Sequence, residues 1–468
     1  MRMKALIFLV LLSGAAAAQD EGWLHADFRN EGTRVKDGCA KFTLKGAMAC
    51  GIELFTDHPL HIAAGSLPPQ NGFGLGGAFV AGRNTTNWRW SFDADAVVST
   101  NASWRSGGYF TLVHNPPHKL KPLAPGEKPK KPPVLVHPYT VYNLYAQTIS
   151  LNKLNYFGEG NDSPLAGASV FGMRETIVGA NAVKPVYEWE AIRPLNLSLH
   201  GEINGRFVNI RGEGGQSFPS IETVYTNATA PGLASQPGFL QLAQGIRVDP
   251  VLWDRLEFDY SGNFQEFIAP SNSTNSFERW TVDLNTTFYL QSYQKATPAT
   301  VKRTAPGTGP NSCALPGDAC PAITTNHNGS VGFRLLVSES MNSATSVVPF
   351  YLQQTLGGGD INGGMSLGSY QDYRFRAPNL LLMQAHAEYA IWGPLGLKFQ
   401  ADEGRVAMTR SDLGFSHLRH SFAAGLTIRA GGFPMVSMMF AWGGPEGHHN
   451  IFNMNSSLLG GGARPLLD

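Results

Sequence analysis

The sequence predicts an all-β fold, a transmembrane antiparallel β-barrel, and three observations support this prediction. After residue 72, segments of ten or more residues alternate apolar and polar side chains, a period that puts the two classes on opposite faces of a strand. No apolar run of about 20 residues, the length that a membrane helix needs, follows Leu12. Only 15% of the residues are charged, against about 25% in ordinary soluble domains. A membrane protein of this kind crosses with strands, because only helices and closed barrels satisfy every backbone group in lipid.

The first residues have the pattern of a secretory signal peptide. Arg2 and Lys4 precede a short apolar core from Ala5 to Leu12, and the small residues Ala16–Ala18 follow it. We therefore expect residues 1–18 to be a signal peptide, residues 19–71 to be a short periplasmic segment, and residues 72–468 to form a barrel in the bacterial outer membrane. Residues 19–71 do not alternate well, and they would suit a cap, a plug or a disordered leader.

Four segments show the alternation most clearly, and their apolar positions are predicted to face outward. These segments are Trp88–Val98, Leu195–Leu199, Trp280–Phe288 and Val436–Trp442. A single segment would also suit a soluble sandwich. The length of the segments, aromatic residues near their ends and the export signal together favour a membrane barrel. Bacterial barrels have even strand numbers, and about sixteen strands fit a chain of this length.

The four cysteines occur as two close pairs, Cys39 with Cys50 and Cys313 with Cys320. An exported chain enters an oxidising compartment, so we predict one local disulfide in each pair. Neither pair has the C-x-x-C spacing of a common zinc site, and no metal is predicted.

Three segments that lack alternation are interpreted as surface loops. They are His118–His137, which is rich in Pro and Lys, Lys295–Gly329, and Leu356–Ser369 with its run of glycines.

Several classes of function are disfavoured. The formal net charge is +1, and with no basic stripe the chain gives no support for nucleic-acid binding. Gly72, Gly74 and Gly77 match a dinucleotide-binding pattern, but a strand-like run follows where a helix is required. No H-E-x-x-H motif occurs, and no constellation of nucleophile and base can be assembled from the motifs. We therefore expect no enzyme, no catalytic residue and no cofactor.

The last hundred residues resemble the bacterial surface-antigen superfamily, the BamA/TamA family of barrels. Leu367–Arg376 is similar to the conserved loop of that family, and Asn379–Trp392 and Phe399–Val406 are similar to the two strands after it. Phe157–Asp162 resembles a further signature of the family. The resemblance implies a sixteen-stranded barrel whose conserved loop folds back into the lumen.

The resemblance also implies how the loop is held. In the family a loop arginine meets acidic residues on the following strands, but here its position is occupied by Gly368. Arg374 or Arg376 is our candidate replacement, and Glu388 or Asp402 would be its partner. Equally, these charges could line a solvated pore, since exposed pairs contribute only about 0–1 kcal/mol. The candidate lumen-loop anchor residues are Tyr370, Asp372, Arg374, Arg376, Glu388 and Asp402.

Function follows only coarsely from the resemblance. It implies insertion or translocation of a protein or lipid cargo in the outer membrane, with membrane lipid and that cargo as partners. The family's periplasmic client-receiving domains are not expected in the residues before the barrel. The alternative is a porin-like channel for passive solute diffusion.

Overall fold

A computed structural model describes most of the chain. The described residues are 22–40, 50, 54, 59–114, 139–186, 192–213, 217–253, 255–297, 322–343, 345–430, 433–454 and 464–467. The proposed signal peptide, His118–His137 and the pair Cys313 and Cys320 lie outside these residues, and Lys295–Gly329 lies largely outside them.

The described part of the chain is dominated by one sixteen-stranded antiparallel sheet in which strand order follows chain order. The strands of this sheet are β1 (Leu60–Ser66), β2 (Phe73–Asn84), β3 (Trp88–Ser99), β4 (Trp104–His114), β5 (Thr140–Tyr156), β6 (Ser169–Pro185), β7 (Leu197–Gly212), β8 (Phe239–Val248), β9 (Leu256–Ile268), β10 (Phe277–Thr297), β11 (Ala322–Met341), β16 (Asn379–Trp392), β17 (Leu395–Ala407), β18 (Arg419–Ala430), β19 (Phe433–Gly444) and β20 (Gly447–Met454). The predicted sixteen-stranded all-β fold is confirmed.

Shorter elements lie between and before these strands. Four short strands follow β11, namely β12 (Gln354–Leu356), β13 (Gly358–Gly359), β14 (Met365–Ser366) and β15 (Phe375–Ala377). The α-helices are α1 (Trp23–Cys39) and α2 (Ile221–Val224), and the 3-10 turns are Leu165–Gly167, Arg193–Leu195, Ser273–Asn275, Phe350–Leu352 and Arg410–Asp412. No helix in the described residues is long and apolar enough to cross a membrane.

The sheet begins earlier than residue 72. Strand β1 pairs with β2 from Leu60 opposite Phe79 to Ser66 opposite Phe73, so it lies within the segment that the sequence assigned to the periplasm. The sequence of β1 is Leu-His-Ile-Ala-Ala-Gly-Ser. Small and weakly polar residues give it little contrast between its two faces, and therefore no clear period of two.

The outer face of the sheet is apolar. On β3, Phe92 and Val98 are 38% and 55% exposed, whereas Asp93 and Asp95 between them are buried at 8% and 5%. The same outward exposure recurs around the sheet at Leu75, Leu144, Val178, Phe207, Ile246, Trp280, Phe333, Ile391, Phe399, Leu426, Met438 and Phe452. Apolar side chains outside and polar side chains inside are the arrangement of a barrel in lipid, so the predicted alternation is confirmed.

The sheet curls so that its two ends approach one short stretch of chain. Gln70, in the turn after β1, donates to the Asp372 carboxylate at 3.4 Å. The N–H of Gly444, at the end of β19, donates to Ser369 Oγ at 3.1 Å. Three residues of chain span at most about 11 Å, so residues 369–372 bridge the region between the first and the last strands. Within the described residues, the hydrogen-bonded strands run in order from β1 to β20. Residues 369–372 therefore link the first strand of the sheet to the last across the barrel interior.

Helix α1 lies against the start of the sheet. The Glu31 carboxylate accepts a hydrogen bond from the N–H of Leu60, the first residue of β1, at 3.0 Å. The ring of Phe28 stacks on the outward-facing Phe79 of β2, with 6.0 Å between ring centroids. Cys39, the last residue of α1, forms a disulfide with Cys50.

Candidate functional site: the loop inside the barrel

The connection from β11 to β16, residues 342–378, is here called the lumen loop. Two small ladders organise it: β12 pairs with β15, and β13 pairs with β14 inside them. At the tip, the Asp360 carboxylate accepts hydrogen bonds from the N–H groups of Asn362 and Gly364 at 2.8 and 2.7 Å. Nested pairing of this kind gives the loop a defined shape, with which it can fill a lumen.

The stretch Leu356–Ser369 is part of the lumen loop, and its interpretation as a surface loop was wrong. Leu356 and Leu367 are 1% and 0% exposed. The glycines that suggested an exposed turn serve close packing instead. Gly357 and Gly358 have φ of +102° and +62°, and an added Cβ would lie 2.7 Å from the Cβ of Arg374 and 2.6 Å from the Asp372 backbone, respectively.

Asp402 on β17 binds the backbone of the lumen loop. Its carboxylate accepts the N–H of Leu367 at 2.9 Å. Gln384 donates to the same carboxylate at 3.1 Å and to the carbonyl of Met365 at 2.8 Å. Gln400 donates to both carboxylate oxygens at 3.0 Å. Asp402 was predicted to pair with an arginine of the loop, and the structure instead surrounds it with neutral donors.

Glu388, the other predicted acidic partner, points to the neighbouring strand. It accepts a hydrogen bond from Thr427 Oγ1 at 3.1 Å and lies 3.6 Å from the Arg429 guanidinium. Among the described contacts none joins it to the lumen loop. Four residues along a strand correspond to about 13 Å, so Glu388 lies well beyond Gln384, whose side chain contacts the loop.

Arg374 binds the barrel wall at two places. Its Nε lies 2.5 Å from Glu446 in the turn between β19 and β20. Its terminal nitrogens donate to the hydroxyl and the carbonyl of Ser163, after β5, at 2.9 and 2.8 Å. The guanidinium also lies over the rings of Phe157 and Phe375, at 5.0 and 4.6 Å. The planar fork of arginine is suited to such a site, since it can stack and donate in several directions at once.

Arg376 joins the lumen loop to the connection after β5. Its carbonyl accepts the N–H of Gly160 at 2.7 Å, and its guanidinium donates to the carbonyl of Phe350 at 2.7 Å. Burial lowers the pKa of Arg376 to about 10. Burial also raises the pKa of the neighbouring Glu159, which accepts a hydrogen bond from Gln353. Neither Arg374 nor Arg376 therefore takes the predicted partner.

The two family-like stretches Phe157–Asp162 and Leu367–Arg376 meet in space through these arginines. Asp162 and Asn161 in turn bind Arg419 at the start of β18, at 2.7 and 2.9 Å. Sequence reasoning found both stretches but not their contact. The only sequence signal was that each resembled a family motif, because about 210 residues separate Arg374 and Ser163 in the chain.

Gly368, which stands at the position of the family's arginine, packs on the last strands. A Cβ on this residue would lie 2.4 Å from Cδ1 of Ile451 and 3.3 Å from Cβ of Ala441. Ala441 belongs to an apolar cluster with Ala423 and Met439. A larger side chain here would require the tip of Ile451 to shift, and apolar contact stands where the family would have an ion pair.

Tyrosine and aspartate residues complete the docking of the lumen loop. Asp372 accepts the N–H of Gly359 at 2.8 Å in addition to the Gln70 amide, and burial raises its pKa. The hydroxyl of Tyr373 donates to the carbonyl of Pro69 at 3.3 Å. Tyr370 packs edge-on against Phe375, with 5.2 Å between ring centroids. These contacts tie the loop to the turn between β1 and β2 as well as to β17–β20.

A second element, residues 464–467, also lies inside the barrel, and sequence reasoning missed it. Arg464 pairs with Asp95 of β3 at 2.6 Å. The carbonyl of Leu466 accepts a hydrogen bond from Arg206 of β7 at 3.0 Å. The N–H of Leu467 donates to Asn362 Oδ1 of the lumen loop at 2.7 Å.

The contacts of this arrangement fix the lumen loop to its surroundings. Within the described ranges, no group of three or more His, Cys, Asp or Glu side chains could hold a metal ion. The buried charges of the lumen loop are used in hydrogen bonds and ion pairs that fix the loop to the wall. Several independent contacts therefore hold the loop inside the barrel.

No family model and no curated protein matches the sequence. Among solved structures, CdiB from Acinetobacter baumannii is similar at 10% identity and a TM-score of 0.44, over 84% of this chain and 58% of that one. BamA from Haemophilus ducreyi lacking POTRA domains 1–3 is similar at 11% identity and a TM-score of 0.43, over 84% and 66%. CdiB from Escherichia coli is similar at 10% identity and a TM-score of 0.45, over 90% and 72%.

The chain spans less than two thirds of the length of the first two of these proteins. At such identities and TM-scores the similarity concerns architecture alone. The sheet order, the apolar outer face and the loop folded inside are observations on this chain itself. The chain folds as a sixteen-stranded β-barrel with an apolar outer face and a loop folded into its lumen, the architecture that the resemblance to the surface-antigen superfamily predicted.

Proposed function

We propose that this barrel passes a polypeptide cargo into or across the outer membrane, with the lumen loop as its gate. One observation carries the proposal: residues 369–374 bind the turn after β1, the connection after β5 and the turn after β19. The gate therefore holds together parts of the wall that are far apart in the strand order, and releasing it would free all of them.

The interactions of the gate suit reversible opening. The loop makes many hydrogen bonds to the wall, each with a net contribution of about 0.5–1.5 kcal/mol. No single one closes the lumen. A cargo that binds the loop or the wall can exchange these bonds for its own, and an extended polypeptide offers backbone donors and acceptors at every residue. A small solute has no comparable means of displacing the loop.

The alternative, a porin-like channel, requires a lumen with a permanent water path. A loop bound on three sides disfavours it, because constriction loops that pass solutes leave an open path beside them. In planar bilayers the proposal predicts a mostly closed channel with rare large openings. A steady open conductance would favour the porin.

Photo-crosslinking tests for the cargo directly. A photoreactive amino acid at Asn285, which the alternation of β10 places on the lumen face, is matched with one at the outward-facing Val282, 40% exposed. The proposal predicts polypeptide adducts at position 285 in native membranes and none at position 282. Absence of polypeptide adducts at position 285, together with a steady open conductance, would overturn it.

A further inference from the structure

We infer that the barrel interior contains a peptide-binding site, formed by the wall and the tip of the lumen loop, and that residues 464–467, Arg-Pro-Leu-Leu, occupy it as a tethered ligand. The ligand class is a peptide with a cationic side chain and, three residues later, an apolar one. This inference rests on the proposed function and deepens it, since release of this segment would free the lumen loop for the passage of a polypeptide cargo.

The cationic end of the site is formed by β3 and β4. The Arg464 guanidinium lies 2.6 Å from the Asp95 carboxylate, whose side chain is 2% exposed, and 5.9 Å from the centre of the Tyr109 ring. A buried carboxylate beside an aromatic face selects a cation over any neutral side chain.

The backbone of the peptide is bound by amide and guanidinium groups. The Asn362 side chain accepts the N–H of Leu467 at 2.7 Å and donates to the carbonyl of the same residue. Arg206 donates to the carbonyl of Leu466 at 3.0 Å. These contacts are made to main-chain atoms, so peptides of different sequence could form them.

The apolar end of the site receives one leucine. Leu467 is 6% exposed and belongs to the same buried cluster as Phe350 and Tyr373 of the lumen loop. Leu466 contributes only its carbonyl, and its side chain is 66% exposed. The selectivity for an apolar side chain therefore falls on position 467.

The wall of this site has partners that would remain after the peptide leaves. Asp95 also pairs with Arg105 of β4 at 3.0 Å. Arg206 also pairs with Glu175 at 2.7 Å and donates to Gln241 at 2.9 Å. Asp95 and Arg206 would therefore each keep a charged partner after release, and loss of the partner is the main cost of breaking a buried ion pair. The site is thus preformed, and its occupant can be exchanged.

Residues 464–467 cross the barrel interior from β3 to β7. Strands β3 and β7 are four positions apart in the sheet, or about 19 Å along it, yet residues 464 and 466 contact both. Because this segment also binds Asn362 at the tip of the lumen loop, occupancy of the site is coupled to the position of the gate.

Conductance in planar bilayers tests the inference. Deletion of residues 464–468 should raise the open probability about tenfold, the effect of losing about 1.4 kcal/mol. Because deletion could impair assembly, Arg464→Glu combined with Leu467→Asp is a second variant, and heat-modifiable gel migration verifies folding of both. Arg410→Glu, at an exposed arginine outside the site, is the matched control for the change of charge and should behave as the unaltered protein does.

A synthetic acetyl-Arg-Pro-Leu-Leu-amide peptide provides the second arm. Added to the deletion variant, it should restore closure, and the same peptide with Glu in place of Arg should not. Asn362→Ala in the deletion background should weaken closure by the peptide about tenfold. An unchanged open probability in both folded variants, or closure by both peptides alike, would overturn the inference. Failure of this inference would not change the polypeptide adducts at position 285, so the crosslinking experiment tests the proposed function independently.

Discussion

The lumen loop is held in two different ways at its two flanks. At Arg374 a cation reaches a carboxylate, a serine and two aromatic rings. At Asp402 an anion accepts only neutral donors, one from the loop backbone and two from glutamines. A buried charge can thus be satisfied by an opposite charge or by converging dipoles, and the two solutions respond differently to substitution.

The largest effect is expected from Arg374→Ala. It leaves Glu446 buried without its cation and frees the carbonyl of Ser163, and breaking a buried pair in this way costs about 3–5 kcal/mol. The lumen loop should become sensitive to protease added from outside. Arg374→Lys should be intermediate, because an ammonium cannot reproduce the fork. Arg410→Ala is the matched control, since Arg410 is 56% exposed in its pair with Glu339; protection of the loop equal in all three variants would contradict the account.

A smaller loss is expected from Asp402→Asn. The amide keeps the shape of the side chain, but its NH₂ group would face the donors of Leu367 or Gln400. Leaving such a buried donor unsatisfied costs about 1–3 kcal/mol. Thermal unfolding of the folded barrel, followed by gel migration, measures the loss. A variant as stable as the unaltered protein would show that Asp402 is not needed in its charged form.

Gly368→Ala tests the apolar contact that replaces the family's ion pair. The added Cβ would meet Ile451, and overpacking of this kind costs about 1–3 kcal/mol. Because the nearest atom is the tip of a flexible side chain, Ile451→Val in the same molecule should recover much of the loss. A double variant that is worse than the sum of the two single variants would refute the proposed contact.

Docking of the lumen loop should depend modestly on pH through two buried carboxyl groups. Burial raises the pKa of Asp372 and of Glu159 above their ordinary values, so the docked loop binds more protons than the released loop. Docking should therefore be strongest below the ordinary carboxyl pKa of about 4 and weaken as pH rises through the raised values. Asp372→Asn should reduce this dependence of protease sensitivity. A dependence of opposite sign in the unaltered protein would contradict the burial argument.

The smallest effect is expected from Glu388→Ala. Thr427 and Arg429 of β18 bind its carboxylate, and within the described contacts no residue of the lumen loop does, so the protease sensitivity of the lumen loop should not change. A protease sensitivity of the lumen loop as high as in Arg374→Ala would restore Glu388 as the partner that the sequence predicted.

The architecture could be predicted from the sequence because alternation, as on β3 and β10, is a local signal repeated along the chain. Strand β1 was not predicted, because its small and weakly polar residues show no clear alternation of apolar and polar side chains. The residues of the lumen loop could be found by resemblance, but their partners could not. Ser163 and Glu446 carry no motif, and only the curvature of the sheet brings them to Arg374. Residues 464–467 were missed because a short segment after a last strand has no pattern that predicts docking.

The docked position of the lumen loop is tested most directly by cysteine labelling. Ser366 is 8% exposed on the loop, and Ser411, exposed in the turn between β17 and β18, serves as the control position. A membrane-impermeant maleimide added from outside should label Ser411→Cys rapidly and leave Ser366→Cys unlabelled, unless Arg374→Ala is also present. Equal labelling of the two cysteines with Arg374 intact would contradict the claim that this loop is fixed inside the barrel.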